Sequence, residues 1–270
     1  TTEIYTLSLH DALPIYAGPT SRFDLGNALV VDLLTGTLES VTDLRLFRGE
    51  NSIAVEQPSG AWELLQFGEA ELIAPGRYRL SRLLRGQRGT DVDMAAMVPE
   101  GARVVVLDTA VNPLPISEAD LGLPWNWRVG PSSRPVSDDS YLAATFTPRG
   151  KGLRPFSPVH VEQPWRRARS PGDLTISWKR RDRSLAADSW NATEVPMSEA
   201  IERWQVDILD GSVVRRTLTA TGMTNAVYTA AQQITDWGAP LGPGASLDVR
   251  IAQIGQAYGA GAAPITTLWF

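Results

Sequence analysis

Several residue types are missing or scarce in this chain of 270 residues, and each absence narrows its chemistry. There is no cysteine, which excludes a disulfide framework and a thiolate metal site. Histidine occurs only at His10 and His160, so catalysis by a nucleophile with a histidine base has few candidates. No apolar run approaches the roughly 20 residues of a membrane-spanning helix, so we expect no membrane span.

Positive charge is also scarce. The net charge is −5, and lysine occurs only at Lys151 and Lys179. A protein that binds nucleic acid without sequence preference normally carries a basic excess, so the overall charge argues against that function. The hydrophobic content of 43% is enough for one large domain or two small ones with ordinary cores.

Residues 1–15 have an explanation that is not biological. Their sequence, TTEIYTLSLHDALPI, is the translation of a widely used short-read sequencing adapter, whose next base would begin the codon of Tyr16. We therefore interpret residues 1–16 as an artefact, exclude them from the predicted fold, and expect the native chain to begin further upstream. His160 is then the one native histidine, and a lone histidine in a strand is rarely catalytic.

Residues 62–90 are the stretch around which the rest of the chain is organised. Two β-prone runs, 70–73 and 77–80, flank Pro75-Gly76, whose preferred φ values predict a type II turn and hence a hairpin. Tyr78 and Leu80 alternate with arginines and are predicted to face the core. A tight basic turn at 85–89 follows.

Short β-prone runs and turn residues predict that the chain is mainly β. We expect a β-rich module over 17–129 with a short helix at 91–98, and a Pro/Gly-rich linker over 130–157. The β-prone run 140–146 interrupts the linker and is expected to close the first module. Further strands of the module are predicted at 28–34, 44–47, 52–55 and 103–107.

The pattern of residues 158–270 resembles a fibronectin type III β-sandwich. The alternating runs DLTISW, RWQVDIL and SLDVRIAQI would supply strands B, C and F, and Asp210-Gly211 would turn the hairpin after strand C. Other strands are expected at 158–162, 213–219, 226–229 and 265–270. The segment 182–201 departs from the pattern, because it is longer than a usual connection between strands B and C.

Three segments also carry a more specific resemblance: ELLQF at 63–67, the run PGRYRLSRLLRG, and GQRGT at 86–90. Together with the VRIAQIG run near the end, they resemble the C-terminal region of host-specificity-like tail-tip proteins of phages and of the gene transfer agent baseplate protein. The resemblance implies a structural subunit of the virion tail, made in the bacterial cytoplasm and acting in tail assembly and host recognition. It also implies other tail or baseplate proteins as partners and a homo-oligomer, namely a trimer.

Neither the residues nor the resemblance indicates catalysis, so we expect no enzyme activity, no cofactor and no metal. Close carboxylate pairs could support glycoside hydrolysis, but each lies where acidic residues usually form local hydrogen bonds. These pairs are Asp91/Asp93, Glu118/Asp120 and Asp138/Asp139.

Four residues are candidates for contacts with partners. Arg85 and Arg88 in the basic turn could meet a neighbouring subunit or nucleic acid, or could simply cap carbonyls. Trp125 and Trp127 could form a platform for a cell-surface glycan, or could pack against a module. A sugar platform would favour the alternative function, the accessory part of a secreted glycoside-active enzyme. Arginines 166, 167 and 169, with 180, 181 and 183, form a second basic group whose default interpretation is a solvated face.

Overall fold

The computed structural model describes residues 14–20, 22–109, 111, 113–162, 172–183 and 195–270. Every strand pair among these residues is antiparallel, and the predicted mainly β class is confirmed. By their internal contacts the residues divide into two units, Thr1–Ile116 and Ser117–Phe270. No helix in the described ranges is long and apolar enough to cross a membrane.

The first unit is built on a five-stranded sheet in the order β2-β5-β4-β3-β7. A separate two-stranded sheet pairs β1 with β6. Among the described residues of this unit, the strands and the α-helix are β1 (Ile15–Tyr16), β2 (Leu29–Asp32), α1 (Asp43–Phe47), β3 (Ser52–Glu56), β4 (Trp62–Ala74), β5 (Arg77–Gln87), β6 (Met97–Val98) and β7 (Val104–Val106).

The predicted hairpin is confirmed as the long pair β4–β5, with Pro75 and Gly76 as its turn. Gly76 has φ 73°, a conformation that glycine adopts without steric cost. The backbone N–H of Leu33 donates to the Gly76 carbonyl at 2.7 Å, which joins the turn to the end of β2. Tyr78 and Leu80 are buried as the alternation predicted.

The core of the first unit combines apolar residues from every strand of its two sheets. Ile15 belongs to it with 2% of its surface exposed, and Ile15 and Tyr16 pair with Val98 and Met97. Residues 15 and 16 therefore belong to the fold. The prediction that residues 1–16 lie outside it is wrong for these two residues. The structure does not describe residues 1–13.

Two local predictions in the first unit are wrong. Residues 44–47, predicted as a strand, lie in α1, a single turn in which only Leu46 is buried. Residues 91–98, predicted as a helix, form a 3-10 turn at Thr90–Asp93 and then β6. The Thr90 hydroxyl donates to Gln87 O and accepts from Leu64 N, while β6 pairs with β1. These contacts with distant residues override the local helical preference.

The second unit begins upstream of the predicted linker. After a 3-10 turn at Glu118–Asp120 with a capping box from Ser117, strands β8 (Trp125–Val129) and β9 (Leu142–Phe146) form a two-stranded ribbon. The ribbon joins a strand of the predicted first module to a strand of the predicted linker. Proline and glycine at 130–157 therefore mark turns around this ribbon and a 3-10 turn at Lys151–Leu153, while the boundary between the units lies at Ile116/Ser117.

The rest of the second unit is a sandwich of two sheets, as predicted. One sheet has the order β10-β11-β14; in the other, β13-β12-β15 is extended by β16 and β17, both paired with β15. The predicted strands C and F are β12 and β15, which pair in the larger sheet. A three-stranded sheet packed against a sheet that contains strands C and F is the arrangement expected of a fibronectin type III-like domain. The strands are β10 (Val159–Glu162), β11 (Leu174–Lys179), β12 (Arg203–Asp210), β13 (Val213–Thr221), β14 (Asn225–Tyr228), β15 (Ser246–Gly255), β16 (Gly259–Ala260) and β17 (Ile265–Trp269).

Alternating residues of these strands fill the core of the sandwich. Trp178 and Trp204 meet edge to face, with ring centroids 5.4 Å apart, and both are almost fully buried. A helix that the sequence analysis missed, α2 (Ala230–Trp237), connects β14 to β15. The predicted insert at 182–201 falls largely outside the described residues, as do Arg166, Arg167 and Arg169.

Candidate functional site

Arg85 lies at the centre of a buried ionic cluster and not on the surface. Only 1% of its side chain is exposed. Its Nε and Nη2 donate to the two carboxylate oxygens of Glu63 at 2.6 and 2.8 Å, and its Nη1 donates to Asp24 Oδ2 at 3.2 Å and to the Tyr16 carbonyl at 3.0 Å. The prediction that Arg85 contacts a partner is therefore corrected, because its donors are used inside the fold.

The two carboxylates of this cluster have further partners. Asp24 accepts from the backbone N–H of Gly26 and Asn27, each at 3.1 Å, and from Asn27 Nδ2 at 2.7 Å. Glu63 also accepts from Gly86 N at 3.1 Å. Saturated buried carboxylates of this kind hold the chain segments together and leave no oxygen free to act on a substrate.

Arg88 remains available to a partner. It is exposed at the end of β5, with φ 52°, and Gly89 follows with φ 80°. Two successive residues in the left-handed region reverse the chain sharply at this point. Among the two arginines predicted for contacts, Arg88 alone has the exposure that such a contact requires.

Trp125 and Trp127 lie on one face of β8, with ring centroids 5.9 Å apart and ring planes 26° apart. The register pairs them with Phe146 and Ala144 of β9, and pairs Val129 with Leu142. Because directly opposed residues point to the same side of a sheet, these six residues form one apolar face. We call it the ribbon face.

The opposite side of the ribbon is polar. Thr145 Oγ1 donates to Asn126 Oδ1 at 2.8 Å, and Arg128 Nη1 donates to the Val136 carbonyl at 2.7 Å. No residue of either strand is fully buried. By contrast, one atom of the ribbon, the indole Nε1 of Trp127, is buried, and it has no hydrogen-bond partner in the described part of the chain. Both tryptophans thus belong to an amphipathic ribbon whose apolar side is largely uncovered.

A second exposed apolar cluster, which the sequence analysis missed, lies on the first unit. The guanidinium of Arg82 lies 4.4 Å from the ring centroid of Phe23 and pairs with Asp43 at 2.5 Å. The ring of Phe23 lies 6.1 Å from that of Phe47, which is exposed together with its helical neighbour Leu44. Phe47 was predicted to be in a strand, and no local pattern indicated that it joins this cluster.

Two of the candidate acid–base residues, Asp120 and Asp138, form local hydrogen bonds. Asp120 accepts from the backbone N–H and hydroxyl of Ser117, and Asp138 accepts from those of Ser140. These hydrogen bonds lower the pKa of both carboxyls. A general acid needs a raised carboxyl pKa, so neither aspartate is suited to that role.

His160 is exposed in β10 with φ 49°. No cluster of three or more metal-type ligands occurs within the described ranges.

One charged cluster of the sandwich could not be anticipated from the sequence. Arg216 makes a bidentate pair with Asp236, at 2.6 and 2.8 Å, and Tyr228 donates to the same carboxylate at 2.7 Å. The hydrogen bond from Arg216 lowers the pKa of Asp236, while burial and the aspartate raise the pKa of Tyr228. This network links α2 to β13 and β14. Because its charged groups are paired with one another, the network favours a structural role.

Comparison with known proteins gives one family match. The family described as "Rcc01698-like, C-terminal" matches residues 9–105, which lie in the first unit. The match begins inside the segment that we interpreted as adapter, in agreement with the structural role of Ile15. It leaves the ribbon and the sandwich outside. No curated protein matches the chain.

Among solved structures, the chain is similar to the extracellular region of rat CD45, domains d3–d4. The identity is 10%, the alignment covers 60% of this chain and 71% of that one, and the TM-score is 0.28. The assignment of a fibronectin-like sandwich therefore depends on the strand order of the chain itself.

Proposed function

We propose that the chain is a structural component of a phage-like tail tip or baseplate, from a gene transfer agent or a prophage, acting in tail assembly and host recognition. The proposal rests on the resemblance of three segments of β4 and β5 to such tail proteins. The family match over residues 9–105 covers all three segments. Its partners would be other tail proteins and further copies of the chain, as a trimer in the particle.

The role of the resembling residues in the fold is the observation that carries the proposal. Glu63 and Arg85, from two of the three segments, form the buried ion pair, and Pro75-Gly76 forms the turn of the long hairpin. Residues of these segments are thus used to build a stiff sheet, which is what a scaffold protein requires. Loops on such a rigid frame are well suited to contact neighbouring proteins.

The experiment is to purify the particles released by the source bacterium and to test them for the chain. Particles would be separated on a density gradient, probed with antibody against residues 117–270, and viewed by immunogold electron microscopy. We expect the chain to sediment with the particles and the label to lie at one end of the tail. Chain found only in fractions without particles would refute the proposal.

A matched pair of variants separates contact from folding. Arg88→Ala is expected to fold normally and to reduce incorporation into particles, because it removes an exposed charge directly after the end of β5. Arg215→Ala removes an arginine whose ion pair with Asp210 is half-exposed and is expected to leave incorporation unchanged. Equal incorporation of both variants would show that Arg88 is not a contact.

A second candidate function, the carbohydrate-binding accessory part of a secreted glycoside-active enzyme, is favoured by one observation. Trp125 and Trp127 lie side by side on an exposed ribbon, as aromatic residues do in sugar sites. A glycan array with the intact chain tests it. Trp125→Ala should abolish binding, whereas Trp269→Ala, which removes a tryptophan 71% exposed on the sandwich, should not. Absence of any bound glycan would dismiss this candidate.

A further inference from the structure

The outer edge of β9 lacks the features that normally protect an edge strand. Proteins usually block such edges with charges, prolines or bulges, because the free N–H and C=O groups otherwise pair with another chain. Strand β9 is Leu-Ala-Ala-Thr-Phe, without charge, proline or bulge, and all five of its residues are exposed. Within the described part of the chain it pairs with β8 alone.

Three other outer strands of the second unit are protected, and the uncharged outer strands β14 and β17 differ from β9 in having residues buried in the sandwich core. Strand β8 carries Arg128 and follows Pro124. Strand β13 carries Arg215 and Arg216, and β10 has an irregular register at a residue with positive φ, His160. Pairing with another chain is therefore directed to β9 and away from β8, β10 and β13.

The residue order of β9 is complementary to itself in the antiparallel direction. A two-fold axis through Ala144 would place Leu142 opposite Phe146 of a second copy, and Ala143 opposite Thr145. The two large apolar side chains, which are 74% and 49% exposed, would then cover each other across the axis. The small residues at the centre leave room for the backbones to pair. No charge lies on the strand, so two chains of net charge −5 meet there without a local repulsive pair.

We propose that β9 pairs edge to edge with β9 of a second copy of this chain, around a two-fold axis at Ala144. The two ribbons then form a four-stranded sheet in which the two ribbon faces are continuous. A two-stranded ribbon is marginally stable in water, and a wider sheet is more stable, which gives the pairing its physical reason. The inference goes beyond the proposed tail function and does not depend on it. A two-fold contact joins only two copies, so this pairing is separate from the contact that would form the trimer.

The first test is the association of the intact chain, measured by sedimentation equilibrium from about 1 μM to about 1 mM. The unmodified chain is expected to show a monomer–dimer equilibrium. Ala144→Lys places two like charges directly opposite each other and should weaken the dimer at least tenfold. Ala143→Lys adds the same charge on the polar side, opposite Thr145, and should change the dissociation constant less than threefold. A chain that is monomeric throughout, or an Ala144→Lys variant that dimerises like the unmodified chain, would overturn the proposal.

The second test fixes the register and exploits the absence of native cysteine. Opposed residues of paired strands have Cα atoms about 4.5–5.5 Å apart, within reach of a disulfide, whereas diagonal residues are about 7–8 Å apart. Ala144→Cys should therefore form a disulfide-linked dimer rapidly in mildly oxidising buffer.

Two further cysteine variants serve as internal controls. Ala143→Cys and Thr145→Cys should each remain largely monomeric alone, but a mixture of the two should form the cross-linked heterodimer. Equal cross-linking of all single variants would indicate random collision and would contradict the proposed register. Failure of Ala144→Cys to cross-link at concentrations where the chain dimerises would do the same.

Discussion

At the scale of the residue, the most consequential side chain is Arg85. Removing one partner of a buried ion pair leaves the other charges without compensation, which is more costly than the pair itself is stabilising. Glu63 and Asp24 would both lose donors if Arg85 were truncated.

We expect Arg85→Ala to lower the free energy of unfolding by about 3–5 kcal/mol. Arg88→Ala, three residues further along and exposed, should change it by less than about 0.5 kcal/mol. Urea denaturation followed by circular dichroism measures both. If the two variants had the same stability, Arg85 would not be the structural centre of this unit.

Asp207 is the corresponding buried charge of the sandwich. Burial works against its ionisation, but hydrogen bonds from Arg250, Thr217 and Gln205 outweigh it and lower the pKa of the carboxyl below the ordinary 3.8. A carboxyl with a lowered folded-state pKa stabilises the fold fully above its unfolded-state pKa, and this stabilisation is lost as the pH falls through the folded-state value.

Asp207→Asn should therefore reduce the free energy of unfolding by about 1–3 kcal/mol at pH 7. The difference from the unmodified chain should stay constant down to about pH 5 and then shrink as the pH falls from the ordinary carboxyl pKa through the lowered folded-state value. Below the folded-state value Asp207 is protonated, and both chains are uncharged at this position. Denaturation at a series of pH values measures it. Asp210→Asn, on the same strand in a half-exposed ion pair, is the control and should show little effect. A pH-independent difference for Asp207→Asn would contradict the linkage.

At the scale of the element, two glycines in the left-handed region, Gly86 in β5 and Gly60 in the turn between β3 and β4, are needed for different reasons. Gly86 has φ +59°, and a Cβ built there would lie 2.7 Å from Asp91 Cβ and 2.9 Å from Asp91 Cα. Gly60 has φ +78° with no atom within 4 Å of such a Cβ. The first position is restricted by both backbone conformation and space, and the second by conformation alone.

Gly86→Ala is expected to destabilise the chain by about 2–4 kcal/mol, since strain in the backbone and a steric overlap act together. Gly60→Ala should cost only about 1–2 kcal/mol, the strain alone. Thermal denaturation of the two variants side by side gives the difference. A Gly60 variant as unstable as the Gly86 variant would show that the contact with Asp91 contributes nothing.

At the scale of the whole molecule, the two units have separate hydrophobic cores. One core gathers residues between Ile15 and Val104, and the other gathers residues between Leu174 and Leu268. Separate cores are expected to unfold as separate cooperative transitions.

Differential scanning calorimetry of the intact chain should therefore show two transitions. Arg85→Ala should lower the midpoint of one by several degrees, and Asp207→Asn should lower the midpoint of the other, with no shift in the remaining transition in either case. A single transition that both variants shift would show that the two cores unfold together.

Features that depend on consecutive residues were predictable from the sequence. The hairpin turn at Pro75-Gly76, the alternation of Tyr78 and Leu80, and most strands of the sandwich follow from local φ preferences and a period of two. The missed helix α2 also carried a local signal, the capping box between Thr229 and Gln232 followed by Gly238.

The tertiary structure alone decided the features that depend on distant residues. From its neighbours in the sequence, Arg85 was predicted to lie in an exposed basic turn. Its partners Glu63 and Asp24 are 22 and 61 residues away in the chain. Residues 91–98 were predicted as a helix, but Met97 and Val98 pair with β1. The β-prone run 140–146 was expected to close the first module, but it pairs with β8 inside the second unit. Local preferences along the chain settle which segments can be strands and where the chain can turn. Which charges are buried and which edge stays open depends on segments that meet only when the sheets form, because burial and ion pairing are set by neighbours in space and not along the chain.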